Sequence, residues 1–214
     1  MSPRVVPANR GSYNRLIAEE SRYNKDVLGA EAGQLRERMN AGQRSIYMEV
    51  MQAVDADESF PRVFFVSGHG GTGKTFLWNC IVKTLRSEGK IVLAVASSGV
   101  ASLLLPNGRT AHSRFRIPFD ITDRSQCSIS RGSTLAALLE KTSLILWDEA
   151  PMTNRHCFEA LDRTLRDVLS VGDESRSSLP FGGKTVVFGG DFRQVLPVVE
   201  GGGGLRNKLL TRLL

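Results

Sequence analysis

From Arg62 onward the chain alternates short apolar runs with longer stretches whose apolar residues recur every three to four positions. Val63-Phe64-Phe65-Val66, Ile91–Ala96, Leu144–Trp147 and Thr185–Phe188 are nearly all apolar and stop at glycine or at a polar residue. Such runs read as strands buried on both faces of a parallel sheet. Between them, Thr75–Ser87, Thr134–Lys141 and Arg155–Leu169 have helical spacing. In the last of these Phe158, Leu161, Leu165, Val168 and Leu169 share one face. Gly89 ends the first helix, and Pro106 closes a short one over Val100–Leu105. Strands alternating with helices predict an α/β domain with a parallel sheet flanked by helices.

The N-terminal part follows a different pattern. Pro3 and Pro7 keep the start irregular, and Tyr13–Asn40 mixes Arg, Glu and Leu without a long apolar face. Gly42–Asp55 is a clearer helix, with Ile46, Val50, Met51 and Val54 at helical spacing. The expected organisation is a polar, largely helical extension over 1–35, one domain over 36–200, and a glycine-rich joint (Gly201–Gly204) with a basic tail over 201–214.

Composition changes this picture little. The formal net charge of +6 favours anionic partners such as nucleic acid or nucleotides. Five arginines (Arg109, Arg114, Arg116, Arg124, Arg131) against Asp120 and Asp123 make residues 107–132 a loop of charge 5 − 2 = +3. Cys80, Cys127 and Cys157 are an odd number and far apart, and no His/Cys spacing suits zinc, so a reduced, intracellular protein is expected. No run reaches the length of a membrane span, and no membrane partner is expected. Arg4, Arg10 and Arg15 precede the first acid, Glu19, a pattern compatible with a transit peptide.

The chemistry lies where strands end. Gly68-His-Gly70-Gly71-Thr72-Gly73-Lys74-Thr75 matches G-x-x-x-x-G-K-[ST] directly after a strand and directly before a helix. Glycines let successive backbone N–H groups close around phosphates, and the helix that follows adds the positive end of its dipole. Lys74 supplies a point charge to the β- and γ-phosphates, and the Thr75 hydroxyl is a Mg²⁺ ligand. Asp148-Glu149 ends the third apolar strand. Asp148 is placed to hold Mg²⁺ through water, and Glu149 to orient and deprotonate an attacking water. The one near match to a guanine-reading N-K-x-D, Asn24-Lys25-Asp26-Val27, has valine for the aspartate and precedes the P-loop. ATP hydrolysis with Mg²⁺ is therefore the expected chemistry.

Further strings occur in order: Ala96-Ser-Ser-Gly-Val-Ala101, Gly108-Arg-Thr-Ala-His-Ser113, Trp147-Asp-Glu-Ala-Pro151 and Gly189-Gly-Asp-Phe-Arg-Gln-Val-Leu-Pro197. Together with the P-loop, over about Arg36 to Val199, they resemble the first RecA-like motor domain of superfamily 1 DNA helicases. The resemblance is strongest to the Pif-type (petite integration frequency) family and its plant and Helitron-transposon branch. It implies that Gln43 reads adenine, that Gln194 senses the γ-phosphate, and that the fourth strand lies between the P-loop strand and the Asp148 strand. It further implies that Ser97, Ser98, His112, Arg114 and Arg116 meet single-stranded DNA; Phe115 either stacks on a base or, as such residues more often do, anchors the loop against the core.

Ser97 and Ser98 stand where many relatives have Pro-Thr. The resemblance also implies a second RecA-like domain that closes on ATP and supplies an arginine, a role for which Arg193 and Arg206 are not expected to substitute. A half-motor that binds Mg–ATP and turns over slowly is the expectation, in the nucleus or the mitochondrion. The alternatives are a non-catalytic ATP-dependent nucleic-acid binder or decoy, and an ATPase completed in trans by oligomerisation.

Overall fold

The computed structural model describes residues 14–56 and 62–194. Five strands form one sheet: β1 (Val63–Ser67), β2 (Ile91–Ala96), β3 (Arg109–Thr110), β4 (Thr142–Asp148) and β5 (Thr185–Gly190). Their order is β1-β5-β4-β2-β3 and every pairing is parallel. β5 thus lies between β1 and β4, as the resemblance implies. The helices are α1 (Arg15–Ser21), α2 (Lys25–Glu37), α3 (Ala41–Asp55), α4 (Lys74–Ser87), α5 (Gly99–Ser102), α6 (Ala111–Phe115), α7 (Thr134–Lys141) and α8 (Arg155–Leu169).

Alternate strand residues feed two cores. Leu93, Val95, Ile145, Trp147, Val186 and Phe188 pack toward α6, α7 and α8. Val92, Ala94, Leu144, Leu146 and Val187 pack toward α3 and α4. Burial on both faces explains why the strands are apolar throughout.

Helix starts are marked by polar side chains. Asn14, Asn24, Asn40, Ser98, Thr110, Ser133 and Asn154 each accept a hydrogen bond from a backbone N–H in the first turn of α1, α2, α3, α5, α6, α7 and α8. Among the described α-helices α4 alone begins without a side-chain cap, on Gly73 in the left-handed conformation (φ 85°).

Several expectations change. The arginine-rich loop contains β3 and α6, each too short to leave a periodic signal. β4 starts at Thr142, two residues before the apolar run, because Thr142 pairs with Ile91 across a register shift. The Val100–Leu105 helix ends at Ser102 and continues as turns. The described part of the helical extension, residues 14–35, lies against the domain. Ala32 of α2 is buried, with its carbonyl 3.7 Å from Cys80 Sγ of α4, and Glu31 pairs with Lys83 at 2.8 Å. Pro3, Pro7, the Gly201–Gly204 joint and the basic tail lie outside the described residues.

α1 is fastened by a buried charge cluster. Glu20 receives Arg114 Nη2 on Oε1 at 2.5 Å and Arg86 Nη2 on Oε2 at 3.4 Å, and the three side chains are at most 3% exposed. Arg86 also donates to the carbonyls of Pro106 and Val92, and its guanidinium sits 4.5 Å from the Tyr23 ring centroid.

Candidate functional site

The C-terminal ends of β1, β5 and β4 lie side by side, which gathers the P-loop, Asp191 and the Asp148-Glu149 pair at one end of the sheet. In open α/β sheets this is the end at which ligands bind. Gly68 N donates to Gly190 O at 3.2 Å, tying the start of the P-loop to β5. Lys74 Nζ donates to the carbonyls of Gly68 (2.5 Å) and His69 (3.2 Å), so the ammonium sits inside the loop's curve.

Gly73 has positive φ (85°), which favours glycine, and Gln43 Nε2 lies close enough that it would have to move aside for a Cβ there. Gln43 itself is the third residue of a capping box. Its Oε1 accepts from Asn40 N at 3.1 Å, its backbone N–H donates to Asn40 Oδ1, and its Nε2 reaches Thr72 O at 3.4 Å. The structure therefore holds Gln43 against the P-loop.

Asp148 is 5% exposed, and its Oδ1 is buried without a hydrogen-bond partner. A buried, unpaired carboxylate oxygen is costly unless something positive or protic meets it. The half-buried Thr75 hydroxyl makes no hydrogen bond within the described residues, and no group of three or more His, Cys, Asp or Glu side chains there could hold a metal alone. That donor set fits Mg²⁺, which usually keeps several waters and takes one or two protein oxygens together with substrate phosphates.

Glu149 has left-handed backbone (φ 52°), which is uncommon for a residue with a Cβ. Burial pushes its carboxyl upward, the Asp148 and Asp191 carboxylates add to the rise, and Lys74 opposes it. A raised carboxyl binds more protons folded than unfolded, so its contribution to stability falls as pH rises from the ordinary carboxylate range through the folded value. Glu149→Gln is accordingly expected to be the more stable protein at pH 7. Below about pH 4, where both forms are neutral, it should unfold like the parent in urea titrations.

Asp191 has no role in the sequence reading. It is 7% exposed, caps the Phe192–Gln194 turn by accepting from Arg193 N at 3.0 Å, and acts electrostatically on Glu149. Its signal is the Gly189-Gly190-Asp191 step directly after an apolar strand. Arg193, set aside on sequence grounds, reaches the P-loop, with Nη1 3.3 Å from His69 Nε2. Gln194 ends the same turn, which continues from β5, while its side chain lies outside the described residues.

The residues expected to meet DNA divide into two groups. Ser97, His112 and Arg116 line an open groove of about 560 Å³ together with Thr110, Ser113 and Phe119. Ser98 is exposed but serves as the cap of α5. The Ser97 hydroxyl donates to Glu149 O at 2.6 Å and accepts from Trp147 Nε1 at 3.1 Å, which joins the groove directly to the acidic strand end.

One expectation fails, and one alternative is decided. Arg114 is buried against Glu20, and a guanidinium neutralised inside the protein is not available to a phosphate. Phe115 is fully buried, 6.0 Å from Trp147, and is a core anchor with no face for a base. The exposed aromatic is Phe119, 90% accessible and stacked on His112 at 5.8 Å. The arginine loop is also less free than its charge suggests, since Arg131 pairs with Asp167 and Arg109 lies 3.7 Å from Glu19.

Comparison with known proteins gives a consistent result. A family model described as PIF1-like helicase matches residues 38–211. The ATP-dependent DNA helicase Pif1 of Psychrobacter sp. (strain PRwf-1) is 32% identical over 146 residues, covering 67% of this chain and 21% of that protein. The ATP-dependent DNA helicase PIF4 of Trypanosoma brucei brucei is 33% identical over 156 residues, covering 68% and 18%. Among solved structures, Pif1 helicase from Bacteroides in complex with ADP-AlF3 and ssDNA superposes with a TM-score of 0.59 at 28% identity, over 81% of this chain and 36% of that one. The chain thus spans about a fifth of the length of those two curated relatives.

Proposed function

The chain belongs to the PIF1-like helicase family, and from that premise we propose that residues 36–200 are the first RecA-like motor domain of an ATP-dependent DNA helicase. One observation carries the reading: among the described α-helices α4 alone lacks a side-chain cap, and its first N–H groups open onto the P-loop at the same sheet end as the unpaired Asp148 Oδ1. A helix start left uncapped is a ready anion site, and phosphates complete it.

Lys74 and the loop N–H groups bind the phosphates of ATP, and Gln43 lies beside the adenine. Thr75 and, through water, Asp148 hold Mg²⁺. The ion, when bound, neutralises charge on the β- and γ-phosphates. Glu149 takes the proton of the attacking water, and Gln194 reports on the γ-phosphate. Single-stranded DNA lies along the groove of Ser97, His112 and Arg116, where the Ser97 hydroxyl links strand contact to the Glu149 backbone. Translocation along the strand and unwinding follow when the family's second RecA-like domain closes on the nucleotide and adds its arginine. Within the family the motif strings favour the plant and Helitron branch. DNA repair, recombination and telomere maintenance, in the nucleus or mitochondrion, are the corresponding processes.

Residues 1–214 by themselves are expected to bind Mg–ATP and to hydrolyse it slowly, since a catalytic arginine contributes about 10³–10⁵ in rate. The test is nucleotide binding and ATPase activity with and without single-stranded DNA, beside Lys74→Ala. Unchanged ATP binding in Lys74→Ala would sink the nucleotide assignment. Brisk DNA-stimulated turnover of the parent, lost in the variant, would refute the need for a second domain.

The groove makes a separate prediction. Arg116→Ala should weaken binding of single-stranded DNA and lower the slope of log K against log salt by about 0.7, the value for one phosphate contact on a single strand. An unchanged slope would remove Arg116 from the DNA path.

A further inference from the structure

At the end of the sheet away from the P-loop, the starts of β1, β4 and β5 frame a pocket of about 170 Å³ lined by Arg62, Thr142, Ser143, Arg176, Lys184 and Thr185. Three of those side chains are cationic and none is acidic. Lys184 is only 9% exposed. Its Nζ donates to Glu140 O at 2.7 Å and Thr142 O at 2.9 Å, which leaves one of three ammonium donors unused. Burial, helped by the Arg176 and Arg62 charges and opposed by Glu140, pulls Lys184 down to about 8. Arg62 uses Nη2 on Ala56 O at 2.8 Å, while its Nε is buried with no hydrogen-bond partner among the described residues. Among the described residues Arg176 pairs with Asp173, at 3.4 Å in an exposed pair with little hold on it.

A desolvated lysine beside two partly exposed guanidinium groups is unfavourable unless an anion joins them. Guanidinium forks match the oxygens of tetrahedral oxyanions, and a lysine adds a point charge. The space, about 170 Å³ and open on one side, admits a five-atom oxyanion. We infer that this pocket binds a compact inorganic oxyanion, phosphate or sulfate, at a site separate from the P-loop. The site does not depend on the helicase assignment. An anion there raises the stability of the fold with its concentration, as any ligand selective for the folded state does.

The experiment is titration of residues 1–214 carrying Lys74→Ala with inorganic phosphate, which removes the P-loop lysine as a competing site. Binding is followed by ³¹P line broadening and by the rise in Tm. A site that persists in Lys74→Ala and weakens at least about tenfold in Arg62→Gln and in Lys184→Met, the loss of one charge-assisted hydrogen bond, is the expected result. Arg176→Gln, a surface change that leaves the core intact, is expected to weaken it in the same direction and keeps the test valid if the buried variants unfold. Two findings would overturn the inference: no phosphate site in Lys74→Ala, or a site indifferent to Arg176→Gln and Arg62→Gln combined. Displacement of phosphate by a short single-stranded oligonucleotide would instead assign the pocket to DNA backbone phosphates, and the free-oxyanion reading would fall.

Discussion

Glu149→Gln is expected to slow ATP hydrolysis by about 10²–10⁴-fold, the usual contribution of a general base, while Mg–ATP affinity changes little. The glutamine keeps the size of the side chain and its place at the end of β4, and leaves Asp148, Thr75 and the P-loop untouched. It removes only the ability to accept a proton from water. Burial together with Asp148 and Asp191 raises the Glu149 carboxyl, and a base moved toward the working pH accepts a proton more readily. The raised value also places the acid limb of the pH–rate profile above the ordinary carboxylate range. Asp191→Asn removes one of the raising charges and should move that limb to lower pH.

Because turnover of residues 1–214 is expected to be slow, the measurement is single-turnover hydrolysis with protein in excess over ATP, paired with a fluorescent-nucleotide Kd. Equal rates for parent and Glu149→Gln would mean that water is activated elsewhere. A large loss of affinity would mean that Glu149 binds rather than catalyses.

The second large effect is structural. Glu20→Ala should destabilise the fold by about 3–5 kcal/mol, because it leaves Arg86 and Arg114 buried without their carboxylate. For a chain of this size that corresponds to a fall in Tm of roughly 6–20 °C. The cluster spans α1, α4 and α6, so the loss should also loosen the groove that His112 of α6 helps to line. The triple variant Glu20→Leu, Arg86→Met, Arg114→Met replaces charge by apolar volume and should recover much of the loss, as hydrophobic replacement of buried ion clusters often does. Urea unfolding of the three proteins decides the matter. A Glu20→Ala protein within about 1 kcal/mol of the parent would show that water reaches the guanidinium groups and that the cluster is not dry.

Much of the site is readable before any tertiary contact is known, because its chemistry is local. The P-loop needs consecutive residues, and Gly73 must take positive φ at the start of α4 whatever surrounds it. Asp148 and Glu149 are delivered by an apolar strand whose register sets where they emerge. The helix limits at Thr134–Lys141 and Arg155–Leu169 are likewise written in apolar spacing and in the caps Ser133 and Asn154. β3 and α6 escape such reading. A two-residue strand exists only because Val95 and Ala96 offer an edge to pair with, and a five-residue helix carries too few turns for a period.

The longer strands and helices, the phosphate loop and the acidic pair follow from the chain's own order of residues, since each depends on near neighbours. The tertiary structure alone decided which charges and rings are free to act. Arg114 and Arg116 look interchangeable in an arginine-rich loop, yet Arg114 is claimed by Glu20 from 94 residues away. Phe115 and Phe119 lie four residues apart in the same loop, yet one fills the core beside Trp147 and the other stands on the surface over His112. Burial and ion pairing between distant segments set those outcomes, because a charge or a ring becomes available only when no other part of the chain covers it.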